Sequence, residues 1–233
     1  MYIKKIKNFS LNDVVLISSL PDMGKVGGLV TQHLKKALKG SEAAKIILHD
    51  KPWVNQKEGI IDYPIDEYQI FVNEEKKVVI FSGESQPQES STVIDLTNNL
   101  LATVSEIGKI KLVISTGGYL PNENENAGNV FGVATNEKSL EMLKSHDVGP
   151  LNKEVNSITW FNGLILGHAK DKDIDGIGLF GKIEDPETPQ YKAASNIVKK
   201  IANILGIEID TKELDDKVVE PVIEEEKHSP GIG

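Results

Sequence analysis

Apolar positions along the chain fall into short β-branched runs that alternate with stretches of helical spacing. Asp13–Ser19 (DVVLISS) is a compact apolar run closed by Leu20-Pro21 and predicts a buried strand. Val26, Leu29, Val30, His33, Leu34, Ala37 and Leu38 then recur at helical spacing, and Gly40 supplies the stop. Lys45–His49, Val78–Phe81, Leu112–Ser115, Val130–Thr135 and Ile174–Phe180 read as further strands. Thr92–Ile107, Glu137–Ser145 and Tyr191–Leu205 read as helices, the last closed by Gly206 and followed by Ile207-Glu208-Ile209. Ser157–Leu166 fits strand and helix equally, because its apolar run is short. Trp53–Asn73, interrupted by Gly59 and Pro64, predicts a hairpin or meander added to the main sheet. Helices that connect apolar strands predict an α/β domain whose mainly parallel sheet is covered on both faces.

Charge changes the picture at one end. The 233 residues carry 26 basic and 35 acidic side chains, a net charge of −9. Thr211–Gly233 alone holds seven acids against three lysines, with Pro221, Pro230 and a terminal Gly231-Ile232-Gly233. Such a stretch has too little apolar area to offset its ordering entropy, so residues 1–210 are expected to form one domain and residues 211–233 a disordered acidic tail. An acidic surface repels phosphate backbones and argues against a nucleic-acid partner. Met1–Ser10 has lysines but no apolar core, and no run approaches membrane-spanning length, so a soluble cytoplasmic protein without a membrane partner is expected. With no cysteine in the chain, thiolate zinc and disulfides are excluded.

In open α/β sheets, ligands gather outside the carboxyl ends of the strands. Here those ends carry Ser18–Lys25, Ser82–Gln88 and Thr116–Leu120. In the first, Gly24, Lys25 and Gly27 lie at a helix start, where exposed amides favour an anion and a lysine adds charge. The order departs from both phosphate motifs, since Val26 follows Gly24-Lys25 and this turn holds no G-x-G-x-x-G; a tight turn with close helix packing explains the same glycines. In the second, Ser85 sits in G-E-S-Q-P, where Pro87 replaces the glycine of a nucleophile elbow. His33 lies on an apolar helix face, and His49, His146 and His168 lack metal-like spacing, so no catalytic residue, metal or cofactor is assigned. In the third, Gly117 and Gly118 clear space that a ligand or a plain turn can use, and Tyr119 can wall it.

The order of these segments resembles a known family. SLPDMGKVG is similar to a glycine-rich L-P-G-[IM]-G-x-V-G turn, SGESQPQ to a G-x-x-Q-P-Q segment, and TGGY matches outright. VFGVAT, FNGLILGHA and LGIEID continue the series in family order, covering about residues 11 to 210. The family comprises archaeal and actinobacterial relatives of the second eukaryotic proteasome assembly chaperone. Resemblance implies an αβα sandwich similar to the nucleoside-phosphorylase fold, a homo-oligomer, a closing short strand after the last helix, and non-catalytic binding to proteasome α subunits during assembly. The alternative is a small-molecule or anion-binding enzyme of phosphorylase-like fold that uses the strand-end loops. Two departures stand out: Asp22 occupies a position where glycine is usual, and the chain lacks the hydrophobic–Tyr–any-residue ending of some proteasome-binding relatives.

Overall fold

The structure, a computed structural model, describes residues 1–121 and 129–218. In chain order the elements are β1 (Tyr2–Lys5), β2 (Leu11–Ser18), α1 (Val26–Ala37), β3 (Ser41–Leu48), β4 (Asn55–Lys57), β5 (Ile60–Asp62), β6 (Asp66–Asn73) and β7 (Val78–Ser82). There follow α2 (Ser90–Ile107), β8 (Gly108–Tyr119), β9 (Val130–Ala134), α3 (Glu137–Ser145), β10 (Gly149–Pro150), α4 (Trp160–Asp171), β11 (Asp175–Lys182), α5 (Tyr191–Leu205) and α6 (Lys212–Asp215).

Nine strands form one sheet in the order β1-β3-β6-β7-β2-β8-β11-β9-β10. Its centre, β7-β2-β8-β11, is parallel. The next pairs are antiparallel, from β7 outward through β6 and β3 to β1 and again between β11 and β9, while the short β10 closes that edge parallel to β9. The expected parallel sheet therefore describes the middle, and mostly antiparallel pairs extend it on both sides. Alternation along the central strands divides the core. Val14, Leu16, Val79, Phe81 and Val113 face α2 and α4, through Val93, Leu96, Leu100, Phe161 and Ile165. Ile17, Val78, Ile80, Leu112 and Ile114 face α1 and α5, through Val26, Val30, Leu34, Ile197 and Ile201. The result is an αβα sandwich.

Several expectations need correction. Residues 53–73 are two things: β4 and β5 pair as a separate two-stranded sheet, whereas β6 lies inside the main sheet. Ser157–Leu166 resolves as the approach to α4 and its first half. The N-terminal residues form β1, an edge strand against β3. Ile207–Ile209 is not a strand; Ile207 and Ile209 pack on the α1/α5 side of the core without joining the sheet. The boundary at residue 210 cuts through packed structure, because Thr211 is buried and Leu214, on α6, is only 4% exposed. Ser195 and Thr211 hydroxyls both donate to the Asp215 carboxylate, at 2.5 and 2.8 Å, tying α6 to α5. The tail expected beyond this point lies, from residue 219, outside the described residues, as does 122–128 of the polar loop.

Candidate functional site

Because β7, β2, β8 and β11 are parallel, their carboxyl ends lie along one edge of the sheet. Two side-chain amides fasten that edge to the start of α4. Asn162, buried at the head of α4, donates Nδ2–H to the Leu20 carbonyl at 3.0 Å and accepts the Leu20 N–H at 2.9 Å. Its own carbonyl accepts the Ser115 hydroxyl at 2.7 Å. Gln86 donates to the Pro21 carbonyl at 2.9 Å and accepts the Phe161 N–H at 3.1 Å. Ser19 Oγ accepts the Thr116 N–H at 2.7 Å, joining the ends of β2 and β8. Buried polar groups satisfied in this way hold the backbone in one arrangement.

The loop between β2 and α1 folds back on itself. Asp22 Oδ1 accepts the Gly27 N–H at 2.8 Å, and Oδ2 accepts the Gly118 N–H at 2.7 Å. Burial pushes the Asp22 carboxyl up to about 6, while the bonds from Gly27 and Gly118 pull in the other direction. The remaining amides of the expected anion cradle are also committed. Gly24 N–H donates to the Pro186 carbonyl at 2.7 Å, and Lys25 N–H to the Asp22 carbonyl at 2.8 Å. Gly24 itself has φ 62, a left-handed conformation that glycine adopts without strain. The space cleared by the β8 glycines is likewise taken. A Cβ at Gly117 would stand 2.5 Å from Asp22 Oδ2, and one at Gly118 2.4 Å from the Met23 carbonyl oxygen. The chain's own carboxylate and backbone thus occupy the cradle that the sequence suggests for an anion.

Of the expected site residues, Gly24, Lys25, Gly27, Gly117 and Gly118 converge around the Asp22 loop. Gly117, Gly118 and Tyr119 are not a turn, however; they belong to β8 and pair with Phe180, Gly181 and Lys182 of β11. Tyr119 is buried, edge-on to Phe131 with ring centroids 4.9 Å apart.

Ser85 is not brought into this group. It lines a separate cavity of about 450 Å³ with Lys35, Asp66 and Tyr68, and its hydroxyl donates to Asp66 at 3.3 Å. Lys51 reaches Asp66 at 2.7 Å and Asp50 at 3.6 Å. The Asp66 hydrogen bond and both carboxylates raise the Lys51 ammonium above its ordinary pKa, against burial, which disfavours Lys51 as a base toward Ser85. The histidines of the described residues are scattered. His33 is buried, its Nε2 donating to the Asp210 carbonyl at 2.7 Å, and His49 stacks between Tyr2 and Tyr63. Among the described residues no group of three or more metal-ligating side chains is assembled, and no helix is long and apolar enough to cross a membrane.

Beside the Asp22 loop lies an open cleft of about 400 Å³, lined by Asp22, Met23, Gly118, Tyr119, Trp160 and Phe180 among others. Of the residues that shape this edge, Trp160 lies in no motif, and Asn162 lies in FNGLILGHA, which signals the family but assigns its asparagine no role; a buried asparagine shows only when its partners are known.

The chain matches the family described as the PAC2 family over residues 16–225, and it belongs to that family. It is 28% identical over 221 residues to an uncharacterized protein of Methanocaldococcus jannaschii, MJ1210, covering 92% of this chain and 83% of that one. The crystal structure of Pyrococcus furiosus PbaB, described as an archaeal proteasome activator, superposes with a TM-score of 0.77 at 27% identity, covering 92% and 93% of the two chains. Pyrococcus furiosus PbaA, described as an archaeal homolog of proteasome-assembly chaperone, shares the fold with a TM-score of 0.74 at 19% identity over 92% and 91%.

Proposed function

We propose, with membership of the PAC2 family as the premise, that this chain is a proteasome-assembly-chaperone-like protein that binds proteasome α subunits by surface contact and without turnover. The observation that carries the reading is the likeness to PbaB along nearly the whole of both chains, at 27% identity. The strand-end edge adds support. A phosphorylase-like enzyme would need free amides there for its anionic substrate, and those of Gly24, Lys25, Gly27 and Gly118 already have partners inside the protein.

The folded body offers surface for such contact. A net charge of −9 favours a basic client face, giving moderate and salt-sensitive association. The β4–β5 hairpin exposes Trp53, Val54, Ile60, Ile61, Tyr63 and Ile65 together, and an isolated two-stranded hairpin is marginal alone in water. We read this apolar hairpin as the contact through which copies of the chain form a homo-oligomer.

The description of PbaB favours a second reading, in which the assembled core particle and not its free subunits is the partner. Capture experiments with free α subunits and with finished core particles, offered separately, distinguish the two. Chaperone action predicts preference for free subunits, and activator action predicts preference for the assembled particle.

A further inference from the structure

Trp160 opens α4 with φ 56, a left-handed conformation that costs a bulky residue roughly 1–3 kcal/mol. Its side chain is nevertheless 46% exposed, at the rim of the strand-end cleft. Met23, Leu120 and Val155 stand exposed on the same rim, and Tyr119 and Phe180 also line the cleft. Large apolar side chains held outward around a concavity are the composition of an interface anchor pocket.

The charge inside the pocket is one-sided. Among the described residues that line it, Asp22 is the only formally charged side chain, and none of them is a lysine, arginine or histidine. The N–H groups of Gly27, Gly118 and Asp22 itself fill three of the roughly four acceptor positions of a carboxylate, which leaves one for an incoming donor. A buried carboxylate without a counter-ion is costly, so an incoming cation gains more here than on open surface. An incoming anion would be repelled, and a neutral apolar group would desolvate Asp22 further without compensation. Aromatic rings beside the carboxylate favour the same choice, because a cation binds over a ring face. Arginine and lysine match both halves of the site, with an apolar stem and a charged head.

We infer that this cleft receives an arginine or lysine side chain of a partner protein, the charged head meeting Asp22 and the stem lying against Trp160 and its neighbours on the rim. The open rim favours a protein segment over a free small molecule, since Met23, Leu120, Val155 and Trp160 would contact residues flanking the anchor. This inference rests on the reading that the protein works by surface contact.

The test is amide-detected NMR titration of the full chain with acetyl-Leu-Arg-Leu-amide, the same peptide carrying neutral citrulline, and n-butylguanidinium. The arginine peptide is expected to shift Gly118, Tyr119 and Trp160 and to bind about tenfold more tightly than the citrulline peptide, the gain of one charge-assisted bond. Asp22→Asn, whose single oxygen can keep only one of the Gly27 and Gly118 bonds, should abolish that preference with the spectrum beyond the β2–α1 loop and the end of β8 unchanged, and Trp160→Ala should weaken both peptides. Equal affinity for arginine and citrulline, shifts mapping elsewhere, or no shifts at millimolar peptide would overturn the inference. Butylguanidinium binding as tightly as the peptide would overturn the protein-segment occupant. Should wild-type protein prefer arginine yet capture no α subunit, the proposed partner fails while the cleft assignment stands. Capture without the arginine preference sinks the cleft assignment alone.

Discussion

Asp22 Oδ2 accepts the Gly118 N–H at 2.7 Å, so a carboxylate from the first βα loop sits against the end of β8. Gly117 leaves room for that oxygen, and Gly118 leaves room for the Met23 carbonyl that follows. Gly117→Ala should therefore destabilise the fold by about 1–3 kcal/mol through overpacking. Thermal unfolding checks this, and an unchanged midpoint would mean that the loop moves away without cost.

Burial has a pH consequence at Asp22. Its folded pKa of about 6 lies above the ordinary carboxylate value of 3.8, so the folded state binds this proton more tightly than the unfolded one. The stabilising contribution is complete below the unfolded value and is lost as pH rises through the folded value. Between about pH 4 and pH 7, wild type should lose on the order of 2–3 kcal/mol relative to Asp22→Asn. Denaturant midpoints of both proteins across that range measure it. Parallel curves would show that Asp22 is solvated in solution.

An occupied cradle should not take phosphate. Calorimetry of the wild type with millimolar phosphate or nucleotide is expected to give no binding heat. Asp22→Gly removes the internal carboxylate and frees the Gly27 and Gly118 amides, and weak millimolar affinity should then emerge. Tight phosphate binding by the wild type would restore the enzyme alternative.

Much of this was legible beforehand, for identifiable reasons. Glu137–Ser145 and Tyr191–Leu205 appear with the bounds that helical periodicity predicts, the latter closed by Gly206 at φ 63. The convergence of three strand ends follows from helices linking buried parallel strands. Asp22 was visible only as a departure from a glycine-rich turn, because its meaning depends on Gly118, 96 positions away. Tyr2–Lys5 was missed because an edge strand needs one partner and little apolar burial. Asn162 is comparable: its amide matters only because folding sets it against Leu20.

The end of the domain can be tested by truncation. Ending the chain after Asp210 removes Leu214, whose burial is worth roughly 1.5–3 kcal/mol, whereas ending it after Val218 retains α6. Chemical denaturation should show the 1–210 form weakened by about that amount and the 1–218 form close to the full chain. Equal stability of all three would return the boundary to residue 210.

If the exposed hairpin joins copies of the chain, Ile60→Asn with Ile61→Ser should dissociate them, since these side chains are 74% and 68% exposed in the single chain. Light scattering coupled to size exclusion reads the mass directly. An unchanged oligomer, or a wild type that is already monomeric, would remove the hairpin from that role.

The central claim is that the folded body binds proteasome α subunits. Its most direct measurement is capture of free α subunits from the same organism by the full chain and by the 1–218 form, at low and at high salt. Both forms should retain the subunits, with retention weakening as salt screens exposed charges. Failure of both at low salt would contradict the account, and capture by the full chain alone would move binding to residues 219–233.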